Sequence, residues 1–364
     1  MKPKLNIYLA VLSATIMIIA IAALSTLVFN QASPAANPVS LASLHNYGLA
    51  PNIQGIAGWI NSGPLNMSQL RGKVVLVDFW TYSCINCIRA APHVEAWYKA
   101  YGDNGLVVIG VSTPEFQFEH NYTNVQDAVR RLNITYPVAL DNNYSTWDAY
   151  GNHYWPADYV IDKNGDVRYI SYGEGNYNQT EAVIRALLVN AGYSIQPNFT
   201  DVPLGANFSA IGTPEIYFGY LEIQGHGSQF SQQDYSIISG SQGSTANYPA
   251  PNATQYNNTV YLSGEWLSGP DGMVAVNNSK IFLTYKAREV NIVASGNSTV
   301  SVKLDGQPLP AGYLGADDMA INGSAVARIG PPRLYNIVSA PSYGWHRLEI
   351  DASPGFKIYT FTFG

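Results

Sequence analysis

Apolar positions in the first half of the chain follow two patterns, short continuous runs and longer stretches with helical spacing. Lys73–Phe79 and Leu106–Val111 are continuous runs dense in β-branched residues, which is typical of buried strands. Cys87–Tyr101 has apolar side chains at helical spacing and ends just before Gly102. The other predicted elements are a helix at Asn124–Leu132, a strand at Pro137–Leu140, a hairpin of Tyr159–Ile161 and Val167–Ser171, and a helix at Glu181–Asn190. Strands that alternate with helices predict an α/β layer fold around a central sheet.

The pattern changes after Gly192. Residues 193–212 are rich in Pro, Asn and Gly without a helical period, which indicates a linker. From Thr213 onward we expect hardly a helical stretch, because short apolar runs recur between turn residues. These runs are Ile281–Tyr285, Val290–Ala294, Val300–Leu304, Leu334–Val338, Arg347–Ile350 and Lys357–Phe363. Their spacing predicts an all-β jelly-roll sandwich.

The longest apolar run lies at the N-terminal end. Ile7–Phe29 has no charged residue and is long enough for a helix to cross a bilayer. This length favours an uncleaved anchor, although Ser33–Ala36 offers a site at which a signal peptide can be cut. Lys2 and Lys4 place the N-terminus in the cytoplasm, so we expect a single-pass cell-membrane protein with its domains outside. The predicted segments are an anchor (1–30), a tether (31–50), an α/β domain (51–192), a linker (193–212) and a β-sandwich (213–364).

The composition of the chain supports an extracellular location for its domains. The chain has twelve Asn-x-Ser/Thr triplets, which suggest a glycosylated surface protein, although some triplets arise by chance in an Asn-rich chain. They begin at Asn66, Asn121, Asn133, Asn143, Asn178, Asn198, Asn207, Asn252, Asn257, Asn277, Asn297 and Asn322. Charged residues make up only 12% of the chain and the net charge is −6, so nucleic acid is not expected as a partner.

The chain has two cysteines, Cys84 and Cys87, at the predicted junction of a strand and a helix. The first turn of a helix stabilises a thiolate, so we expect a pKa of Cys84 well below its ordinary value. Cys87, one turn later, can resolve the mixed disulfide that Cys84 forms. A zinc site would need two more ligands, and a c-type haem would need His where Ile88 stands. A redox pair without a cofactor or metal is therefore predicted, and a plain structural disulfide is the alternative.

Asp78-Phe79-Trp80, followed by Cys84-x-x-Cys87 and Pro92, resembles the thioredoxin signature. This resemblance implies that Asp78 moves a proton to or from Cys87, and that Trp155-Pro156 carries a cis-proline facing the disulfide. From the residues alone, Asp78 can equally be a core carboxylate whose hydrogen bonds are satisfied, and Pro156 can equally be an ordinary turn proline. The predicted site comprises catalytic Cys84, Cys87 and Asp78, with substrate docking by Trp80, Trp155, Pro156 and Glu115. Glu115 can instead be a solvated loop carboxylate.

Longer motifs resemble the extracytoplasmic part of DipZ-type proteins. They are WTYSCINC (80–87), TPEF (113–116), YPVALDNN (136–143) and YWPA (154–157). The resemblance implies a TlpA-like thioredoxin domain followed by a β-sandwich of the carbohydrate-binding-module type. DipZ-type proteins also carry a multi-span electron-transferring membrane domain, whereas this chain has one predicted span, so a separate CcdA-like donor is expected. Many TlpA-type reductases have a glutamate where Ala90 stands, which weakens specificity rules taken from them.

A protein disulfide reductase acting on disulfide-bearing proteins is the favoured function, and two alternatives stay open. Thr81-x-x-Cys84 superficially matches a thiol peroxidase, but Val77 stands where that site has proline. A surface glycan-binding protein with a structural disulfide is the other alternative. Trp266, Tyr285 and Trp345 can form a sugar-stacking platform for it, or can fill the core of the sandwich.

Overall fold

The computed structural model describes residues 39–196, 198–203, 210–227, 229–251 and 255–364. The predicted span Ile7–Phe29 and the first part of the predicted tether lie outside these residues. Among the residues described, none of the helices has the length and apolar character needed to cross a membrane. Residues 44–364 form one compact unit, and residues 39–43, with a short 3-10 helix at Leu41–Ser43, belong to a separate N-terminal unit.

A six-stranded sheet forms the centre of the first half of the compact unit. Its strands are β1 (Gly58–Ile60), β2 (Val74–Trp80), β3 (Leu106–Ser112), β4 (Val138–Leu140), β5 (Ala157–Ile161) and β6 (Val167–Tyr172). Their order is β1-β4-β3-β2-β5-β6, with β2, β3 and β4 parallel and the other neighbours antiparallel. β2 is buried along its whole length, as expected for a central strand that is covered on both faces. The predicted α/β layer fold is confirmed.

Three helices connect strands of this sheet, and a fourth follows its last strand. They are α1 (Ile85–Tyr101), α2 (Tyr122–Arg131), α3 (Ser145–Ala149) and α4 (Tyr177–Asn190). α1 begins two residues before its predicted start because Cys84 caps it, and the Cys84 sulfur accepts the backbone N–H of Cys87 at 3.3 Å. Pro92 lies inside α1, where its ring removes one backbone donor. The cap fixes the position of both thiols.

Antiparallel strands dominate the second half, which we call the β-rich part (residues 210–364). Its strands are β7 (Ile216–Tyr217), β8 (Thr245–Tyr248), β9 (Val260–Ser268), β10 (Met273–Ala275), β11 (Ser279–Ser295), β12 (Ser298–Leu304), β13 (Gln307–Pro308), β14 (Asp318–Ile321), β15 (Ser324–Ile329), β16 (Arg333–Ala352) and β17 (Lys357–Phe363). Four of the predicted strands merge into two long ones. Ile281–Tyr285 and Val290–Ala294 both lie in β11, and Leu334–Val338 and Arg347–Ile350 both lie in β16. The predicted breaks are wrong because a bulge near Ala287 lets β11 and β16 stay paired across the polar positions.

Two short helices in the β-rich part were not expected from the sequence. They are α5 (Tyr220–His226) and α6 (Gln232–Gly240). Each buries few side chains, so neither shows a helical period strong enough to be recognised. Ser231 caps α6 by accepting the N–H of Asp234. The expectation of hardly any helix after Thr213 is therefore wrong at these two places.

The proposed sugar-stacking platform does not exist as an exposed surface. Trp266 and Tyr285 are 0% exposed and belong to the core of the β-rich part, whereas Trp345 is 46% exposed. The two buried rings point inward because they occupy inward-facing positions of β9 and β11. Trp266 also donates its indole N–H to the backbone oxygen of Ser263 at 3.1 Å. Core packing, the other reading of these residues, is the observed one for both.

An apolar cluster joins the β-rich part to the α/β part. Phe116, Tyr217, Val293 and Tyr359 are buried against one another, and Phe118 packs on them. The ring centroids of Phe118 and Tyr359 are 4.8 Å apart. These residues form what we call the docking cluster, and they place the β-rich part next to the loop that follows β3.

Candidate redox site

The two cysteines lie where β2 leads into α1. Three buried residues separate the end of β2 from Cys84, and Cys87 lies in the first turn of α1. Both cysteines are free thiols. Cys84 is half-buried, whereas Cys87 is only 2% exposed. Cys84 is therefore the thiol that a partner can reach, and Cys87 is placed to act after it.

The environment of Cys84 differs from the predicted one. Burial raises the pKa of the Cys84 thiol above its ordinary value, although hydrogen bonds from Cys87 act against this increase. The carboxyl groups of Glu115 and Glu215 add to the increase in this pKa. Burial and the adjacent Cys84 hold the pKa of Cys87 well above its ordinary value as well. The predicted acidic Cys84 is wrong for this state, because desolvation of the thiolate outweighs the helix terminus.

Two carboxyl groups, one buried and one half-buried, lie side by side behind the pair. Asp78 in β2 is 3% exposed, and its direct partner across the antiparallel ladder is Asp158 in β5. Burial and then the charge of Asp158 hold the pKa of Asp78 well above its ordinary value. Burial raises the pKa of Asp158 to about 7. Both cannot ionise without strong repulsion, so the pair is suited to hold one proton near neutral pH.

The residues predicted to dock the substrate lie in different environments. The Trp155–Pro156 peptide bond is cis, and the Trp155 carbonyl oxygen lies 4.0 Å from the Cys84 sulfur. This loop therefore borders the reactive thiol, as the resemblance implied. Trp80 is 2% exposed and lies in the core against Gly110, so it offers no surface to a substrate.

Glu115 is a half-buried residue and not a solvated loop carboxylate. Its Oε1 atom accepts the hydroxyl of Tyr217 at 2.7 Å, and its backbone N–H donates to Glu119 at 2.6 Å. Burial, together with the charge of Glu215, holds the pKa of Glu115 well above its ordinary value. Glu119 is itself buried, and it accepts the hydroxyl of Ser83, the residue before the first cysteine, at 2.6 Å. Glu115 and Glu119 thus connect the loop after β3 with the start of α1.

Two family models match the chain. The AhpC/TSA family covers residues 50–170, and the thioredoxin like C-terminal domain covers residues 213–364. The chain is 31% identical to the thiol-disulfide oxidoreductase YkuV of Bacillus subtilis over 139 residues, which make up 38% of this chain and 93% of YkuV. The chain belongs to the thioredoxin-like thiol–disulfide oxidoreductases. This membership confirms the predicted enzyme class and the thioredoxin-like fold.

A longer match links this thiol–disulfide oxidoreductase to DipZ proteins. It is 40% identical to protein DipZ of Mycobacterium tuberculosis over 330 residues, which cover 89% of this chain and 44% of DipZ. The chain therefore spans less than half the length of the DipZ proteins that it matches. The predicted resemblance to the DipZ type is confirmed, with a thioredoxin-like part followed by a β-rich part.

Some polar groups of this thiol–disulfide oxidoreductase site were missed from the sequence. Asp158, Glu119 and Tyr217 all lie near it, yet none forms a local motif with the cysteines. Only Asp158 carried a signal, because a charged residue two positions after Pro156 interrupts an otherwise apolar strand. The partners of the other two residues depend on tertiary contacts.

Raised carboxyl pKa values predict that the oxidoreductase loses stability as the pH rises. A carboxyl group with a pKa near 7 in the folded state and near 4 in the unfolded state favours folding only while it is protonated. Asp158 and Glu174 are such groups, each with a folded-state pKa raised to about 7 by burial. We expect the free energy of unfolding in urea to be about 2–4 kcal/mol lower at pH 7.5 than at pH 5. Asp158→Asn should flatten this profile, and an equally steep profile in that variant would contradict the assignment.

Proposed function

We propose that this oxidoreductase reduces protein disulfide bonds outside the cell, with Cys84 as the attacking thiol and Cys87 as the resolving thiol. The placement of the pair carries this proposal, because Cys84 is half-buried at the start of α1 and Cys87, only 2% exposed, lies within its first turn, and the raised pKa of both thiols agrees with it. Strong oxidants of this kind stabilise the thiolate and hence the reduced state. A pair whose thiolates are not stabilised favours its disulfide form, so it gives electrons readily.

The proposed reaction uses the carboxyl pair as a proton acceptor. Cys84 first releases its proton to water, and its thiolate then attacks a substrate disulfide, forms a mixed disulfide and releases one substrate thiolate. Cys87 then loses its proton to the ionised member of the Asp78–Asp158 pair and attacks the Cys84 sulfur. The second substrate thiolate leaves, and the enzyme holds a Cys84–Cys87 disulfide. Two electrons have moved to the substrate, the carboxyl pair passes the Cys87 proton to water, and the two substrate thiolates take up protons from water.

The oxidised enzyme must be reduced again from another source. We propose a separate CcdA-like membrane protein as the donor, disulfide-bearing proteins as substrates, and Ile7–Phe29 as the membrane anchor. The β-rich part would be a jelly-roll sandwich that presents the redox site. The anchor is supported by its uncharged apolar length and by Lys2 and Lys4 before it. Digestion of intact cells with an external protease should remove the folded part, and full protection would contradict this topology.

The reduction potential tests the direction of the reaction. Equilibration of the soluble part with glutathione and dithiothreitol buffers should give a potential near that of thioredoxin, about −270 mV. A value near −120 mV would make the protein an oxidant. A disulfide that resists reduction below about −300 mV would be structural. The Cys84→Ser, Cys87→Ser double variant supplies the redox-silent baseline, and peroxide consumption without a protein substrate would favour the peroxidase alternative.

A further inference from the structure

A partly buried polar contact joins the β-rich part to the loop after β3, whose Glu119 contacts Ser83 next to Cys84 in the chain. The hydroxyl of Tyr217 donates to Glu115 Oε1 at 2.7 Å and lies 3.2 Å from Glu215 Oε2. The other oxygen of Glu215 accepts the hydroxyl of Thr362 at 2.9 Å. A phenol has one hydrogen, so it can donate to only one of two ionised carboxylates at a time. The contact with Glu115 is the shorter of the two, so the phenol donates to Glu115.

Glu119 connects this contact to the backbone that leads into α1. Its Oε1 atom accepts from the hydroxyl of Ser83, which precedes Cys84, at 2.6 Å. Its Oε2 atom accepts the backbone N–H of Glu115 at 2.6 Å and that of Phe116 at 3.0 Å. The charge of Glu119 also contributes to the raised pKa of Glu115. One buried side chain therefore ties the loop that carries Glu115 to the position of the reactive thiol.

The β-rich part brings further titratable groups to the same place. The charge of Glu222 adds to the raised pKa of Glu115, after the larger effects of burial and Glu215. His226 stacks on the ring of Tyr217 with centroids 4.1 Å apart, and its Nε2 atom lies 3.6 Å from Glu222. The groups that face Glu115 from this part are thus a phenol and two carboxyl groups, with the imidazole one contact further away.

We propose that Tyr217 and Glu215 are positioning residues of the redox site, which hold the Glu115 carboxyl in the loop that Glu119 ties to Ser83 and so govern how readily Cys84 releases its proton. Both carboxyl groups raise the pKa of Cys84, which agrees with this arrangement. The β-rich part then supplies residues that tune the redox site, in addition to presenting it. This inference rests on the proposed exchange chemistry of Cys84, and it makes the β-rich part responsible for keeping the pair reducing.

The test measures the reactivity of Cys84 and not the reduction of a substrate, so failure of the proposed function would be a separate result. The reduced full chain is alkylated with iodoacetamide between pH 5 and pH 10, and mass spectrometry follows Cys84. Tyr217→Phe should shift the profile to lower pH and make alkylation at pH 7 about three- to tenfold faster. Loss of the hydrogen bond leaves Glu115 protonated more often, so it opposes the thiolate less.

Tyr359→Phe is the matched control. It removes the same hydroxyl group from the docking cluster, but that hydroxyl pairs with Ser295 at 2.9 Å and not with a carboxyl group. The pH profile of Cys84 alkylation in Tyr359→Phe should coincide with that of the wild-type protein. Equal shifts in both variants would mean that Tyr217 acts only by packing, and no shift in Tyr217→Phe would overturn the proposal.

A double-mutant cycle with Glu115→Gln shows whether Tyr217 acts through Glu115. Tyr217→Phe should have no effect on the profile once Glu115 has lost its charge, and an undiminished effect would overturn the proposal. Glu215→Gln, which keeps the shape of the side chain and removes its charge, is made in the Glu115→Gln background, where only its direct effect on Cys84 remains, and it should speed alkylation at pH 7 there. This pair decides the question if circular dichroism shows that Tyr217→Phe does not fold, and an unchanged profile on adding Glu215→Gln would then reject the role of the β-rich part.

Discussion

Cys84→Ser should lower the rate of disulfide exchange by about 10³-fold or more, because it removes the only thiol of the pair that is accessible to a partner. Cys87→Ser should give a different result. In this variant Cys84 still attacks the substrate disulfide, but the mixed disulfide persists because the resolving thiol is missing. Reduction of insulin by the two variants, followed by electrophoresis without reductant, measures both outcomes.

The contrast between the two variants identifies the roles of the thiols. A trapped adduct in Cys87→Ser and none in Cys84→Ser would agree with the half-buried position of Cys84 and the deep burial of Cys87. The reverse pattern would exchange the two roles. Full exchange activity in both variants would mean that the bond is structural and that the proposed function is wrong.

Asp78→Asn should slow the resolution step by about 10²-fold near pH 7, the usual size of a general-base contribution. The amide cannot take the proton of Cys87, whose pKa lies well above its ordinary value. Single-turnover measurements that start from the mixed disulfide isolate this step. Attack by Cys84 should change little, so a uniform loss in both steps would point to disturbed packing.

Asp158→Asn is the matched variant for the carboxyl pair. It removes the charge that helps to raise the pKa of Asp78, so Asp78 should ionise at lower pH. The pH profile of resolution should therefore shift to lower pH, in contrast to the loss of rate in Asp78→Asn. If both variants keep the wild-type rate and profile, Asp78 is only a satisfied core carboxylate.

Local patterns predicted much of the scaffold and part of the site. β2, α1 and β3 were recognised because each has a strong period or a continuous apolar run, and the thiols lie at the junction that these elements define. The merger of predicted strands into β11 and β16 could not be foreseen, since a bulge in one strand matters only when its partner is known.

The properties of the site that the sequence did not reveal all depend on distant contacts. Glu115 and Tyr217 are 102 positions apart, and Asp158 meets Asp78 only through strand register. The effect of a helix terminus on Cys84 is local and was foreseen. The opposing cost of burial comes from the whole fold around the thiol, so the direction of the pKa change was predicted wrongly.

β11 has a consequence for the way the protein unfolds. This strand of 17 residues pairs with β16, β17 and β9, and near its far end Val293 belongs to the docking cluster. Glu289 of the same strand lies 3.5 Å from Arg89 in α1. β11 lies in the core of the β-rich part and also contacts the α/β part, so the β-rich part cannot unfold locally without breaking contacts to the α/β part. Melting of the β-rich part would expose the helix that carries the thiols, so the two parts are expected to unfold in a single cooperative transition.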